Sequence, residues 1–176
     1  MKLPVFNKPD SQEICFVPNQ DYAGLVKRRS PETFRNGELV TTDGKVVGEH
    51  EGHQHFTIGQ RKGVGVAFGY PIYVVDIDPR TNQVIVGDKE SLLKKTLIAH
   101  QINLILDRAR NAADPIRCSA KIRYNHQPQA AVLQVTGPDE IRVTFDEPQS
   151  AITPGQAVVC FDGDIVLGGG WIDASD

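Results

Sequence analysis

The sequence is short of several things, and each shortage excludes a class of protein. It holds three cysteines in 176 residues, with no closely spaced pair, which excludes a disulfide scaffold and a zinc ribbon. No apolar run approaches the ~18 residues a membrane span needs. The first residues lack the charged and apolar regions of a secretory leader. Internal repeats and low-complexity tracts are missing too. These absences predict a soluble, cytoplasmic chain with reduced thiols and no membrane partner. The net charge is only −3, which argues against a generic nucleic-acid coat.

Hydrophobic residues make up 40% and charged residues 23%, enough to bury a core. The length fits one ordinary domain or two small ones. Charge is unevenly spread. Residues 1–136 carry 18 basic and 14 acidic side chains, whereas residues 137–176 carry Arg142 and eight acids. Such a chain can present a basic face to RNA, or simply end in a solvated acidic stretch.

Residues 1–18 read as the tail of another unit, because Pro4, Pro9 and Pro18 interrupt any regular element. A short helix is expected over Asn19–Lys27, where Tyr22, Leu25 and Val26 share a face. Asn19 or Asp21 would cap it, and Lys27, Arg28 and Arg29 favour its C-terminal end. Hairpins follow at Glu38–Gly48, turning at Asp43-Gly44, and at Pro71–Val86. Ser91–Thr96 reads as a short helix or connector, and Leu97–Leu106 as a strand. Further strands are expected at Ile116–Tyr124, Ala130–Thr136, Glu140–Phe145, Gln156–Phe161 and Ile165–Leu167, the last followed by Gly168-Gly169-Gly170. Short strands at such spacing predict a closed or nearly closed barrel. The fold class is therefore mainly β: a small central mixed α/β domain over 19–90 and a six-stranded type of barrel over 91–176.

Several constellations bear on chemistry. Cys15 has Asp10 and Glu13 closer than Lys8, so its local sequence favours a packed, inert thiol over a thiolate. Alternation along Ile116–Tyr124 turns Cys118 inward with Ala120 and Ile122. It leaves Arg117, Lys121 and Arg123 on the other face, either as a solvated strand face or as a phosphate-contacting stripe. Cys160 lies in an apolar run and reads as core. His50, His53 and His55 suggest a metal site, but no matching cluster occurs elsewhere, and a polar hairpin end is the simpler reading. Thr57–Gly65 presents Arg61 and Lys62 between glycines. Without a strand–glycine loop–helix context it is neither a Walker loop nor a dinucleotide fingerprint.

Together, six ordered motifs resemble one family. They are Lys8-Pro9-Asp10-Ser11-Gln12-Glu13-Ile14-Cys15-Phe16, Gly48-Glu49-His50-Glu51-Gly52, Thr57-Ile58-Gly59-Gln60-Arg61-Lys62-Gly63, Lys121-Ile122-Arg123-Tyr124, Thr153-Pro154-Gly155-Gln156, and Asp162-Gly163-Asp164 with Leu167-Gly168-Gly169-Gly170. The chain resembles the C-terminal half of the tRNA-specific 2-thiouridylases over nearly its whole length. The resemblance implies that Cys15 carries sulfur as a persulfide and passes it to C2 of the wobble uridine. ATP first adenylates the C2 oxygen, AMP leaves, and a second cysteine releases the sulfur through a transient disulfide. It also implies that Arg123, Tyr124 and Gln156 touch tRNA, with Arg61, Lys62 and Lys121 as helpers. The implied partners are lysine, glutamate and glutamine tRNAs and a cysteine desulfurase or sulfur carrier, not DNA.

The departures from the family are equally informative. Its Ser-Gly-Gly-x-Asp-Ser ATP loop is absent from these residues, and so is the second catalytic cysteine. The expectation is an incomplete enzyme, inactive alone, with no cofactor or metal of its own. The alternative is a stand-alone RNA-binding barrel without catalysis. A metal-binding protein built on His50, His53 and His55 is the third reading.

Overall fold

The computed structural model describes residues 17, 21–106, 109 and 114–175. Helix α1 spans Tyr22–Arg29. It starts later than expected because Asp21 caps it, its Oδ1 accepting from the Gly24 N–H at 2.8 Å. Its last turn holds Lys27, Arg28 and Arg29, and the chain leaves through Ser30-Pro31.

Four strands then form one sheet: β1 (Gly37–Thr41), β2 (Val46–His50), β3 (Tyr73–Asp78) and β4 (Gln83–Gly87). Two are the expected hairpins, β1–β2 and β3–β4. The sheet order is β2-β1-β4-β3, so the hairpins join through a parallel pair in which Leu39 faces Val84 and Val40 faces Ile85. Leu39, Val64, Ile72, Val74, Val84 and Val86 form its core.

The remaining strands close into a barrel in the order β10-β5-β8-β7-β6-β9. They are β5 (Leu93–Leu104), β6 (Ile116–Lys121), β7 (Gln129–Gly137), β8 (Glu140–Ser150), β9 (Ala157–Asp162) and β10 (Ile165–Ser175). The molecule is thus mainly β, with a six-stranded barrel beside a small mixed sheet. Phe145, Leu97, Leu133, Ile141 and Leu167 fill the barrel, and Ala99, Ala120 and Ala131 make room for them.

Three strands run well beyond their sequence-based expectation, and β6 stops at Lys121, three residues short of the expected Tyr124, where the chain turns. β5 begins at Leu93, inside the stretch read as a helix or connector, because Leu93 and Lys94 pair with Ser150 and Gln149 of β8. β8 itself runs on past Phe145 to Ser150. Pro148 is tolerated there because the register with β5 shifts beside it. β10 continues through Gly168-Gly169-Gly170 rather than stopping at Leu167. A Cβ on Gly169 would lie 2.0 Å from the Val158 carbonyl oxygen, and one on Gly168 would lie 2.3 Å from that of Asn103. The glycines let β10 press between β9 and β5, which is what closes the barrel.

Candidate nucleic-acid interface

β6 ends at Lys121, and Ile122, only 1% exposed, keeps the inward alternation up to the next turn. Residues 123–126 then reverse the chain, with the His126 N–H donating to the Arg123 carbonyl at 3.1 Å. This turn leaves Arg123 and Tyr124 outside the barrel. The Arg123 guanidinium donates to the Ser150 carbonyl at the end of β8. The Lys121 ammonium sits 5.5 Å from the centre of the Tyr124 ring, a cation–π contact that holds both at one edge.

Gln156 reaches the same place from another turn. The Gly155 N–H donates to the Ile172 carbonyl at 2.8 Å, and the Ile172 N–H donates to the Gln156 carbonyl at 2.7 Å. Thr153–Gln156 is thereby stitched to β10. The result is an open groove of about 480 Å³ lined by Lys121, Arg123, Tyr124, Gln156, Val159 and Phe161. Residues far apart in sequence thus share one surface: two cations, a phenol ring, a carboxamide and an apolar floor. That combination can hold a phosphate and, beside it, a flat or hydroxylated group.

Sequence reasoning passed over His126, which lies beside the groove. Its Nδ1 is buried and has no hydrogen-bond partner among the described residues. Burial, with help from the charges of Arg123 and Lys121, holds its pKa below the usual histidine range. The signal was available, since His126 follows Tyr124 by two residues in a turn.

The expected basic stripe is not continuous. Arg117 donates through Nη1 to Asp146 Oδ1 at 2.6 Å, and its Nη2 meets the other carboxylate oxygen. The fork-shaped pair raises the Arg117 pKa and lowers that of Asp146. Asp146 comes from β8, so no local reading of β6 reveals it. Arg61 and Lys62 are exposed but do not line the groove. Their loop is spent on the mixed sheet. The Gly59 N–H donates to the Val74 carbonyl at 2.8 Å, and the Val74 N–H donates to the Gln60 carbonyl at 2.9 Å.

The three histidines do not converge. His50 is buried, and its Nδ1 accepts from the Gly52 N–H at 3.1 Å. His53 Nδ1 lies 2.9 Å from Asn82 Oδ1, and His55 packs edge-on against Phe34. No cluster of three or more metal-ligating side chains occurs among the described residues. Cys160 is fully buried, and Cys118 is partly buried against the same core. A hydrogen bond with Cys118, reinforced by burial, pushes the Cys160 thiol up. Cys15 lies outside the described residues.

Two family models match the chain one after the other. Residues 25–88 match the tRNA methyl transferase PRC-barrel domain family, and residues 94–172 match the aminomethyltransferase beta-barrel domain family. A tRNA-specific 2-thiouridylase of Clostridioides difficile (strain 630) is 49% identical over 99% of this chain and 48% of its own length. One from Koribacter versatilis (strain Ellin345) is 51% identical over 97% of this chain and 47% of its own length. A third, from Carboxydothermus hydrogenoformans, is 47% identical over 97% of this chain and 46% of its own length. The chain spans about half the length of the curated relatives it matches. No helix among the described residues is long and apolar enough to cross a membrane.

Proposed function

The chain belongs to the tRNA-specific 2-thiouridylase family, as its C-terminal part, and from that premise we propose that it docks tRNA for thiolation of a wobble uridine. In this reading residues 91–176 are the docking unit and residues 19–90 a central spacer. Residues 1–18 bring Cys15, as the persulfide carrier, toward a partner domain that binds ATP. Arg123 and Lys121 hold phosphate, Tyr124 stacks or hydrogen-bonds, and Gln156 contacts the sugar or a base edge. Arg61 and Lys62 add longer-range attraction from the exposed loop of the mixed sheet. The reaction places the protein in the cytoplasm, with a cysteine desulfurase or sulfur carrier as donor.

One observation carries the reading. Arg123, Tyr124 and Gln156, picked out by resemblance in two separate motifs, line a single groove with Lys121. Binding to unmodified tRNA and to an RNA duplex of equal length, each at two salt concentrations, tests it. Tighter and steeply salt-dependent binding to tRNA is expected. Equal binding to both RNAs, or none, overturns docking by this groove. Sulfur transfer is tested separately. A cysteine desulfurase should load one sulfur on Cys15, and none on a Cys15→Ser chain. If no sulfur loads while tRNA still binds, the protein is an RNA-binding barrel without catalysis.

A further inference from the structure

A second trough adjoins the groove on the outer wall of the barrel. Val158 and Cys160 of β9 are fully buried, so Ala157, Val159 and Phe161 face outward. Their partners on β10 are Trp171, Gly169 and Val166, and Val159 also pairs with Lys121 of β6. Gly168, Gly169 and Gly170 line a trough in this surface and add no side chain to it. The trough holds about 300 Å³ beside the Trp171 indole, which is 53% exposed. Ala157 and Val159 line both the trough and the groove, so the two form one surface. On the far side, exposed Gln101 and Asn103 of β5 contribute carboxamides.

The two ends of this surface differ in charge. Lys121 and Arg123 stand at one end. At the other, His100 pairs across the strands with Trp171 and lies 3.7 Å from Asp173 and 3.9 Å from Glu140. The two carboxylates disfavour a phosphate beside Trp171. Lys121 and Trp171 are two strand spacings and two residues apart, about 12 Å by the ordinary dimensions of a sheet, so one RNA strand can touch both. A matching ligand has phosphate at one end and a flat, uncharged, hydrogen-bonding body at the other. We propose that the trough takes an unpaired nucleobase of the docked RNA, stacked on Trp171, with the Asn103 and Gln101 carboxamides at its edge. The proposal rests on the groove docking RNA and adds to it a base-binding subsite.

The sequence contains a single tryptophan, so its emission reports on this trough alone. The chain is titrated with unmodified tRNA while binding is followed independently by the anisotropy of dye-labelled RNA. Emission should fall in step with binding, and a duplex of equal length should leave it unchanged. Trp171→Leu should weaken tRNA binding about tenfold, equivalent to about 1.4 kcal/mol, with the salt slope unchanged. Trp171→Phe should restore most of the affinity, and far-UV circular dichroism should show both variants folded. Binding without any change in emission overturns the subsite and leaves docking intact. Absence of binding overturns both. Equal quenching by duplex, or a salt slope lowered in Trp171→Leu, overturns the base assignment. Emission that varies with protein concentration in the absence of RNA assigns the trough to a second copy of the chain and overturns it too.

Discussion

The mixed sheet and the barrel treat their margins differently. In the sheet, β2 and β3 lie at the two edges, and the β3 edge is covered by the Thr57–Gly65 loop through the two backbone hydrogen bonds at Val74. Polar side chains there are spent on the same task of holding the sheet. Asn82 donates to the Arg35 and Asn36 carbonyls, and Gln54 to that of Thr33. The barrel has no margin to cover, because β10 returns to β5. Its turns and outer wall carry Arg123, Tyr124, Gln156 and Trp171. Closure leaves the barrel no edge to cover, whereas the open sheet uses a loop to cover one.

Disrupting closure tests that contrast most severely. Gly169→Val should cost about 3 kcal/mol or more, since its Cβ meets the Val158 carbonyl and not a movable side chain. Urea unfolding should show the barrel destabilised or unfolded at the outset. A near-normal midpoint would mean that the glycines are not needed for closure. Next, Leu39→Ala in the sheet core should cost about 2–4 kcal/mol. Because Trp171 lies in the barrel, the circular dichroism transition should move while the tryptophan transition stays. A joint shift would show that sheet and barrel unfold as one unit.

Arg123→Ala should weaken tRNA binding several-fold and lower the salt slope by about one. The same change at Arg61 should have a smaller effect, since it stands off the groove. Equal slopes for the two variants would remove the distinction between binding wall and protective loop.

A pH effect is expected in both units, because burial lowers the pKa of His126 in the barrel as it does that of His50 in the sheet. Burial holds the pKa of His50 down, and its Nδ1 already accepts from Gly52. The unfolded chain takes up the proton near the ordinary value of about 6.5. Stability is therefore fully present above that pH and is lost as pH falls through it toward the lower folded value. The sheet midpoint should drop between pH 7.5 and 5, and His50→Gln should flatten the drop. The smallest effect concerns Asp146→Asn, which frees the exposed Arg117. The urea midpoint should not move measurably, while tRNA binding should gain slightly in salt dependence. An unchanged slope would mean that RNA never approaches Arg117.

Much of this architecture was legible locally. Alternation at Ile116–Ile122 set Ala120 and Ile122 inside the barrel and Lys121 outside, and Asp43-Gly44 marked the β1–β2 turn. Resemblance of motifs singled out Arg123, Tyr124 and Gln156, which line one groove. What escaped depended on neighbours distant in sequence. Glycines in a row read as a stop, and only the close carbonyls of Val158 and Asn103 explain why a strand needs them. Arg117 looked free because Asp146 lies 29 residues on.

The sequence by itself determined the class of the protein and the facing of its strands, because side-chain alternation and turn chemistry act over a few residues. It settled the two hairpins of the sheet for the same reason. Tertiary structure alone decided the parallel join of β1 to β4, the return of β10 to β5, and the meeting of Lys121, Gln156 and Trp171 on one wall. Those depend on backbone hydrogen bonds and steric fit between segments up to about eighty residues apart, and no local pattern encodes which segment will supply the partner.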